Sequence, residues 1–145
     1  MSQLLTSLLT GILGGSVTII FREVLLTKKE NNMGLQIAKV VLTNELNKNH
    51  DQIVKENSSG KSLKDYILQK EKYMHDKNSF NITAWENSKM EITRLNPTLA
   101  KEIFSVYSFY YRLRETSYSS EISEKELNDY LEKYCKLNSV LKASE

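Results

Sequence analysis

The chain has 145 residues, enough for one compact domain plus one further element and too few for two full domains. Hydrophobic residues make up 40% and charged residues 26%, which excludes a disordered chain, and a net charge of +2 with acids and bases interspersed excludes the concentrated basic surface of a duplex binder. The single cysteine, Cys135, excludes an intramolecular disulfide framework and fits a reducing compartment, while five Gly and one Pro leave few helix breakers. An all-α fold is the expectation.

Leu4 to Phe21 is an uncharged run of 18 residues, or ~27 Å of helix, close to the thickness of a bilayer's hydrocarbon core. It has no basic residue before it and Arg22, Lys28 and Lys29 after it, the reverse of a cleavable signal peptide. The run therefore predicts an uncleaved transmembrane anchor (residues 1–27) and a juxtamembrane connector (28–33), with the lipid bilayer as a partner. By the positive-inside tendency the N-terminus lies outside and residues 34–145 form a cytoplasmic helical domain. A buried or oligomerising soluble helix is the competing reading, because Thr and Ser make the run only moderately apolar. Ser7, Gly11, Gly14, Gly15 and Thr18 fall on one small-residue stripe, a pattern that lets helix backbones approach closely in lipid. This predicts a homo-oligomer, with Arg22 at the cytoplasmic mouth if copies surround a pore.

From Gly34 to Lys55 the spacing of Leu35, Ala38, Leu42, Leu46 and Ile53 predicts a long amphipathic helix, able to continue from the anchor. Asn57-Ser58-Ser59-Gly60 interrupts it. A second helix is expected from Ser62 as N-cap through Tyr66, Ile67, Lys70 and Met74. Thr83 with Glu86 three residues on reads as a capping box opening a third helix through Trp85, Met90, Ile92 and Leu95. Asn96-Pro97 opens a fourth, which should bury Leu99, Ile103, Phe104, Val106, Tyr107, Tyr110 and Leu113 and end near Tyr118. Ser123 to Glu126 is another capping box, opening a fifth helix with Leu127, Tyr130, Leu131, Tyr134, Leu137 and Leu141 on its face. The domain is thus a bundle of about five helices, with Trp85, Phe104, Tyr107 and Leu131 inside.

No catalytic, metal or nucleotide motif emerges, and no cofactor or metal is expected. Gly60-Lys61-Ser62 lacks the upstream glycine of a phosphate-binding loop. His50, between Leu46 and Ile53, has no convergent ligand set with His75, so a hydrogen-bonded helix histidine is the preferred reading. Tyr107, Phe109, Tyr110, Tyr111, Arg112 and Arg114 could stack a nucleotide, but aromatic residues at helical spacing read first as core. A ligand site, if present, would draw on His50, Tyr110, Arg112 and Arg114.

Phe80-Asn81-Ile82-Thr83-Ala84-Trp85-Glu86, continuing to Leu95, Leu99 and Tyr107, together with Glu45-Leu46-Asn47-Lys48-Asn49, resembles a pattern in small single-pass membrane proteins of Gram-positive bacteria and their phages. In layout the chain is also similar to membrane effectors of bacterial antiviral systems. The resemblance implies an N-terminal anchor followed by a small helical domain; with the small-residue stripe and the lack of catalytic motifs, the expectation is a protein that assembles with itself or with a protein partner, in its sharper form a pore-forming effector of a bacterial antiviral or toxin-type system. The alternative is a nucleotide- or RNA-responsive sensor or enzyme with a divergent helical domain.

Overall fold

A computed structural model describes the backbone of residues 2–142 and the side chains of residues 22–142. It is all-α, with five α-helices and no β-strand among the described residues: α1 (Ser2–Val54), α2 (Leu63–Leu68), α3 (Thr83–Leu95), α4 (Pro97–Glu115) and α5 (Glu124–Lys142). Short 3₁₀ turns stand at Lys77–Ser79 and Ser119–Glu121. The chain divides into two units, Met1–Gln36 and Ile37–Glu145.

In the first unit the described side chains Arg22, Val24, Leu25, Leu26 and Met33 are exposed. Among the described residues no helix is long and apolar enough to cross a membrane. The run Leu4 to Phe21, with Ser7, Gly11, Gly14, Gly15 and Thr18, lies outside the described side chains.

In the second unit α3 and α5 both pack on α4, which buries Leu99, Ala100, Ile103, Val106, Tyr107, Phe109, Tyr110 and Leu113. The end of α1 contributes Leu42, Leu46 and Ile53 to the same core. Between those apolar positions, on the same face, stand two buried polar residues, Glu45 and Asn49. Buried polar groups are costly unless hydrogen-bonded, and both are. Glu45 Oε2 accepts from Ala84 N–H at 2.9 Å, and Oε1 accepts from the Tyr107 hydroxyl at 2.6 Å and from Trp85 N–H at 3.4 Å. Asn49 exchanges two bonds with the backbone of Asn81, at 2.6 and 2.9 Å.

Glu45 thereby does the work expected of Thr83. The Thr83–Glu86 capping box does not form: Thr83 is the first helical residue, and Ile82 before it offers no side-chain cap. The free N–H groups of the first turn turn inward and meet Glu45, a stronger, charged acceptor. Glu86 instead pairs with Lys89 and the Tyr111 hydroxyl. The other caps form as the sequence indicates. Asn96 Oδ1 accepts from Leu99 N–H at 3.0 Å with Pro97 at the first turn of α4, and Ser62–Asp65 and Ser123–Glu126 each make reciprocal bonds.

The helix expected to run to Met74 stops at Leu68. Lys70 adopts φ 54°, and Glu71 N–H returns to Tyr66 O while Lys70 N–H returns to Ile67 O. This Schellman closure satisfies the last carbonyls, but it sits on a lysine rather than the usual glycine, at a cost of about 1 kcal/mol. Gly60, at φ 75°, supplies the left-handed residue of the turn after α1 in open space. Beyond α2 the extended 71–74 segment is tied to the 3₁₀ turn that follows α4: Ser119, fully buried, donates to Tyr73 O through its N–H and accepts from Tyr73 N–H at Oγ, both at 2.9 Å.

Several apolar assignments shift. Trp85 and Tyr107 are inside as expected, but Phe104 is 54% exposed, Met90 and Met74 are exposed, and Leu131 is half-buried. Phe104 and Leu131 lie at the margins of their helices' apolar arcs, Met90 faces away from the buried Trp85 and Ile92 of α3, and Met74 falls beyond the end of α2. Helix α4 ends at Glu115, with Thr116 as C-cap, rather than near Tyr118.

Trp85→Ala should destabilise the domain by about 3–5 kcal/mol and Phe104→Ala by under about 1 kcal/mol, a contrast read directly from chemical unfolding midpoints. Glu45→Ala strands the Tyr107 hydroxyl and the α3 amides and should cost about 3 kcal/mol, whereas Glu45→Gln, which keeps one acceptor oxygen, should cost less. Equal losses for Ala and Gln in the same unfolding series would show that the carboxylate's bonds do not hold the core.

Candidate functional site

The histidine expected on the α1 face meets α5. His50 Nδ1 lies 2.9 Å from the Tyr130 hydroxyl, and its ring stacks on Tyr134 at 3.8 Å between centroids and 5° between planes. Tyr130 in turn lies 3.2 Å from the Tyr110 hydroxyl, which donates to Leu46 O at 3.3 Å. Tyr134 donates to Asn47 Oδ1 at 2.8 Å. Three tyrosines and a histidine therefore stitch α1 to α4 and α5. Burial, the largest cause, holds the His50 imidazole below its ordinary value of 6.5, with Asp51 opposing and Lys64 reinforcing. Burial likewise pushes the Tyr110, Tyr130 and Tyr134 hydroxyls upward, so all three remain proton donors.

Of the four residues named as a ligand site, this chain joins His50 and Tyr110 through Tyr130 and leaves the two arginines elsewhere. Arg112 bonds Glu126 Oε1 at 3.3 Å and Glu121 O at 3.1 Å, across the α4–α5 connection. Arg114 donates to Phe80 O at 3.2 Å. Tyr107, Phe109 and Tyr110 are buried, as the core reading required. Among the described residues no group of three metal-ligating side chains converges, and Cys135 is an exposed free thiol.

A different concavity opens on the other side of α1's last turns. It measures about 530 Å³ and lies between the end of α1, the turn after it, the start of α2 and the 73–81 connection. Leu63 and Phe80, both buried, form apolar parts of its lining, and Tyr73 adds an aromatic wall. Its charged lining comprises Lys48, Asp51, Lys55, Glu56 and Asp76. Asp51 and Lys55 bond each other at 2.6 Å. His75, only 7% exposed, also belongs to the lining. Its ring meets Phe80 edge-on and its Nε2 lies 2.8 Å from Leu113 O. A carbonyl only accepts, so Nε2 carries the proton and Nδ1 of the neutral ring is a lone-pair acceptor. That Nδ1 is buried with no hydrogen-bond partner, the one such side-chain atom among the described residues. Sequence reading left this groove unseen, because its lining comes from segments up to 33 residues apart and His75 stands in a polar stretch that reads as a loop.

Comparison with protein-family models, curated proteins and solved structures found no match. The chemistry therefore rests on the geometry alone.

The His50 contact carries a pH dependence of defined sign. An imidazole held below 6.5 in the folded state binds fewer protons than the unfolded chain does, so its contribution to stability is present above about 6.5 and is lost as pH falls through that value. Unfolding midpoints should decline between about pH 7.5 and 5.5 more steeply in the wild type than in His50→Gln. Parallel declines would place the titration on another group.

Proposed function

We propose that this chain is a membrane-anchored assembly protein. Its uncharged N-terminal run inserts as a single helix with the N-terminus outside, and its helical domain, on the cytoplasmic side, associates with further copies. The observation that carries this reading is an uncovered apolar face on α1 in the second unit, where Ile37, Val40 and Val41 are 59%, 53% and 49% exposed. Single exposed apolar residues are ordinary. Three at i, i+3 and i+4 share one helix face, and a contiguous patch of that kind marks an interaction surface. In the first unit, Val24, Leu25, Leu26 and Met33 are exposed as well.

The disposition of the aromatic and basic side chains supports assembly over a nucleotide sensor. His50, Tyr110, Arg112 and Arg114 each hydrogen-bond to the protein itself, and the two arginines do so away from His50 and Tyr110. In the anchor, the small-residue stripe Ser7, Gly11, Gly14, Gly15, Thr18 favours close helix pairing in lipid. The sharper form of the proposal is a pore-forming effector of a bacterial antiviral or toxin-type system, with a ring of Arg22 side chains at the cytoplasmic mouth.

Crosslinking in native membranes and in mild detergent should give a ladder of oligomers for the wild type. Gly11→Leu or Gly15→Leu should shorten the ladder while the chain stays in the membrane, because Leu makes the run more apolar. Ile37→Asp/Val41→Asp should shorten it further. Membrane depolarisation on overexpression distinguishes a pore from a non-conducting anchor. A strictly monomeric chain, unchanged by every one of these substitutions, overturns the proposal.

A further inference from the structure

In the second unit α1 is apolar on two opposite sides. At about 100° per residue, Val40 and Asn44 stand about 160° round the helix from Leu42, and Ile37 about 140°. The helices that pack over the buried Leu42 and Leu46 therefore leave the outer side open. Ile37, Val40 and Asn44, all exposed, fall within about 60° of one another, and Val41 flanks them. In the sequence Ile37 and Asn44 are seven residues apart, and Leu26, Met33 and Val40 also follow one another at intervals of seven. Recurrence at seven, with steps of three and four between, keeps one narrow stripe turned toward a neighbouring helix and is the spacing of paired helices. The occupant it fits is a helix with the same repeat.

We propose, building on the assembly reading above, that this face is covered by the same face of a second copy, α1 against α1, parallel and in register, with the two Asn44 side chains bonded to each other. Asn44 sets the direction. An amide both donates and accepts, so two that face each other satisfy one another. An antiparallel pair over the same turns sets Asn44 against Ile37 and buries its amide without a partner, a cost the parallel pair avoids. One Asn in an otherwise apolar seam is a device by which paired helices fix their alignment, at some expense in stability. Ile37 then meets Ile37 of the second copy and Val40 meets Val40, with Val41 packed along the flank.

Single-cysteine chains on a Cys135→Ser background, which removes the exposed native thiol, read the alignment in native membranes under mild oxidation. Disulfide closure needs Cα atoms within about 7 Å of each other. Ile37→Cys and Val40→Cys should each give a disulfide-linked dimer. Gln52→Cys, exposed two turns past Asn44 and about 80° round the helix, should not. Asn44→Asp, which sets two carboxylates face to face, should remove most of the closure by Ile37→Cys; unchanged closure overturns the proposal. A mixed disulfide between an Ile37→Cys chain and an Asn44→Cys chain, in place of closure at like positions, shows an antiparallel pair and overturns it. So does labelling of Ile37→Cys by a lipid-dissolved maleimide without closure, which shows a face turned to the bilayer. Equal closure by Gln52→Cys, or none at either apolar position in copies that amine crosslinking still joins, overturns this pairing and leaves the assembly reading standing. A chain that neither closes nor crosslinks overturns both.

Discussion

A single buried carboxylate organises the helical domain. Glu45 lies on the core face of α1 and gathers the first amides of α3 and the hydroxyl of α4's Tyr107, so three helices share one anion. Without partners, that charge would cost several kcal/mol to bury. With an N-terminal helix turn and a phenol aimed at it, the charge is met by directional bonds and by the positive end of α3. The geometry leaves little freedom. Burial and the neighbouring carboxylate keep the Tyr107 hydroxyl protonated far above its ordinary range, so it serves as a permanent donor.

The same logic repeats down α1. Asn47 and His50 reach α5, through Tyr134 and Tyr130, and Asn49 reaches the Asn81 backbone before α3. The last turns of α1 therefore act as a polar spine against which α3, α4 and α5 are indexed, while Leu42, Leu46 and Ile53 supply the apolar burial. Burial of this kind is non-directional and fixes compactness. The polar bonds fix which residue faces which. Exposed ion pairs such as Lys133–Asp129 and Lys55–Asp51 contribute little to either.

Division of labour along the chain follows from this arrangement. Where α1 carries the spine, its face is covered; a few residues earlier, Ile37, Val40 and Val41 are uncovered. An amphipathic helix with one covered and one open apolar segment is suited to holding its own domain with one end and a neighbour with the other. The groove beside the last turns of α1 is a separate feature with separate chemistry, rich in acceptors where the open face is apolar.

Much of the fold was legible in residue order. Helical periodicity, the Asn57–Gly60 break, Asn96-Pro97 and the Ser62 and Ser123 caps are local signals, set within one turn of backbone, and the structure follows them. The sequence by itself determined an all-α chain with five helices and an aromatic core on α4. Tertiary structure alone decided the rest. Thr83 is a good cap in isolation, yet Glu45, 39 residues away from Ala84, captures the amide instead. Nothing near Lys70 announces a left-handed residue, because its φ is imposed by closure of α2 onto the 71–74 segment. Glu45 and Asn49, polar residues at core-facing positions between Leu42, Leu46 and Ile53, were the one signal in the sequence that nonlocal partners must exist. Which partners they are depends on how the helices pack, and so does the burial of His75 against Leu113, 38 residues away. Local propensity is written in a few adjacent residues, whereas a hydrogen bond across the core is specified only when the chain has brought its two ends together.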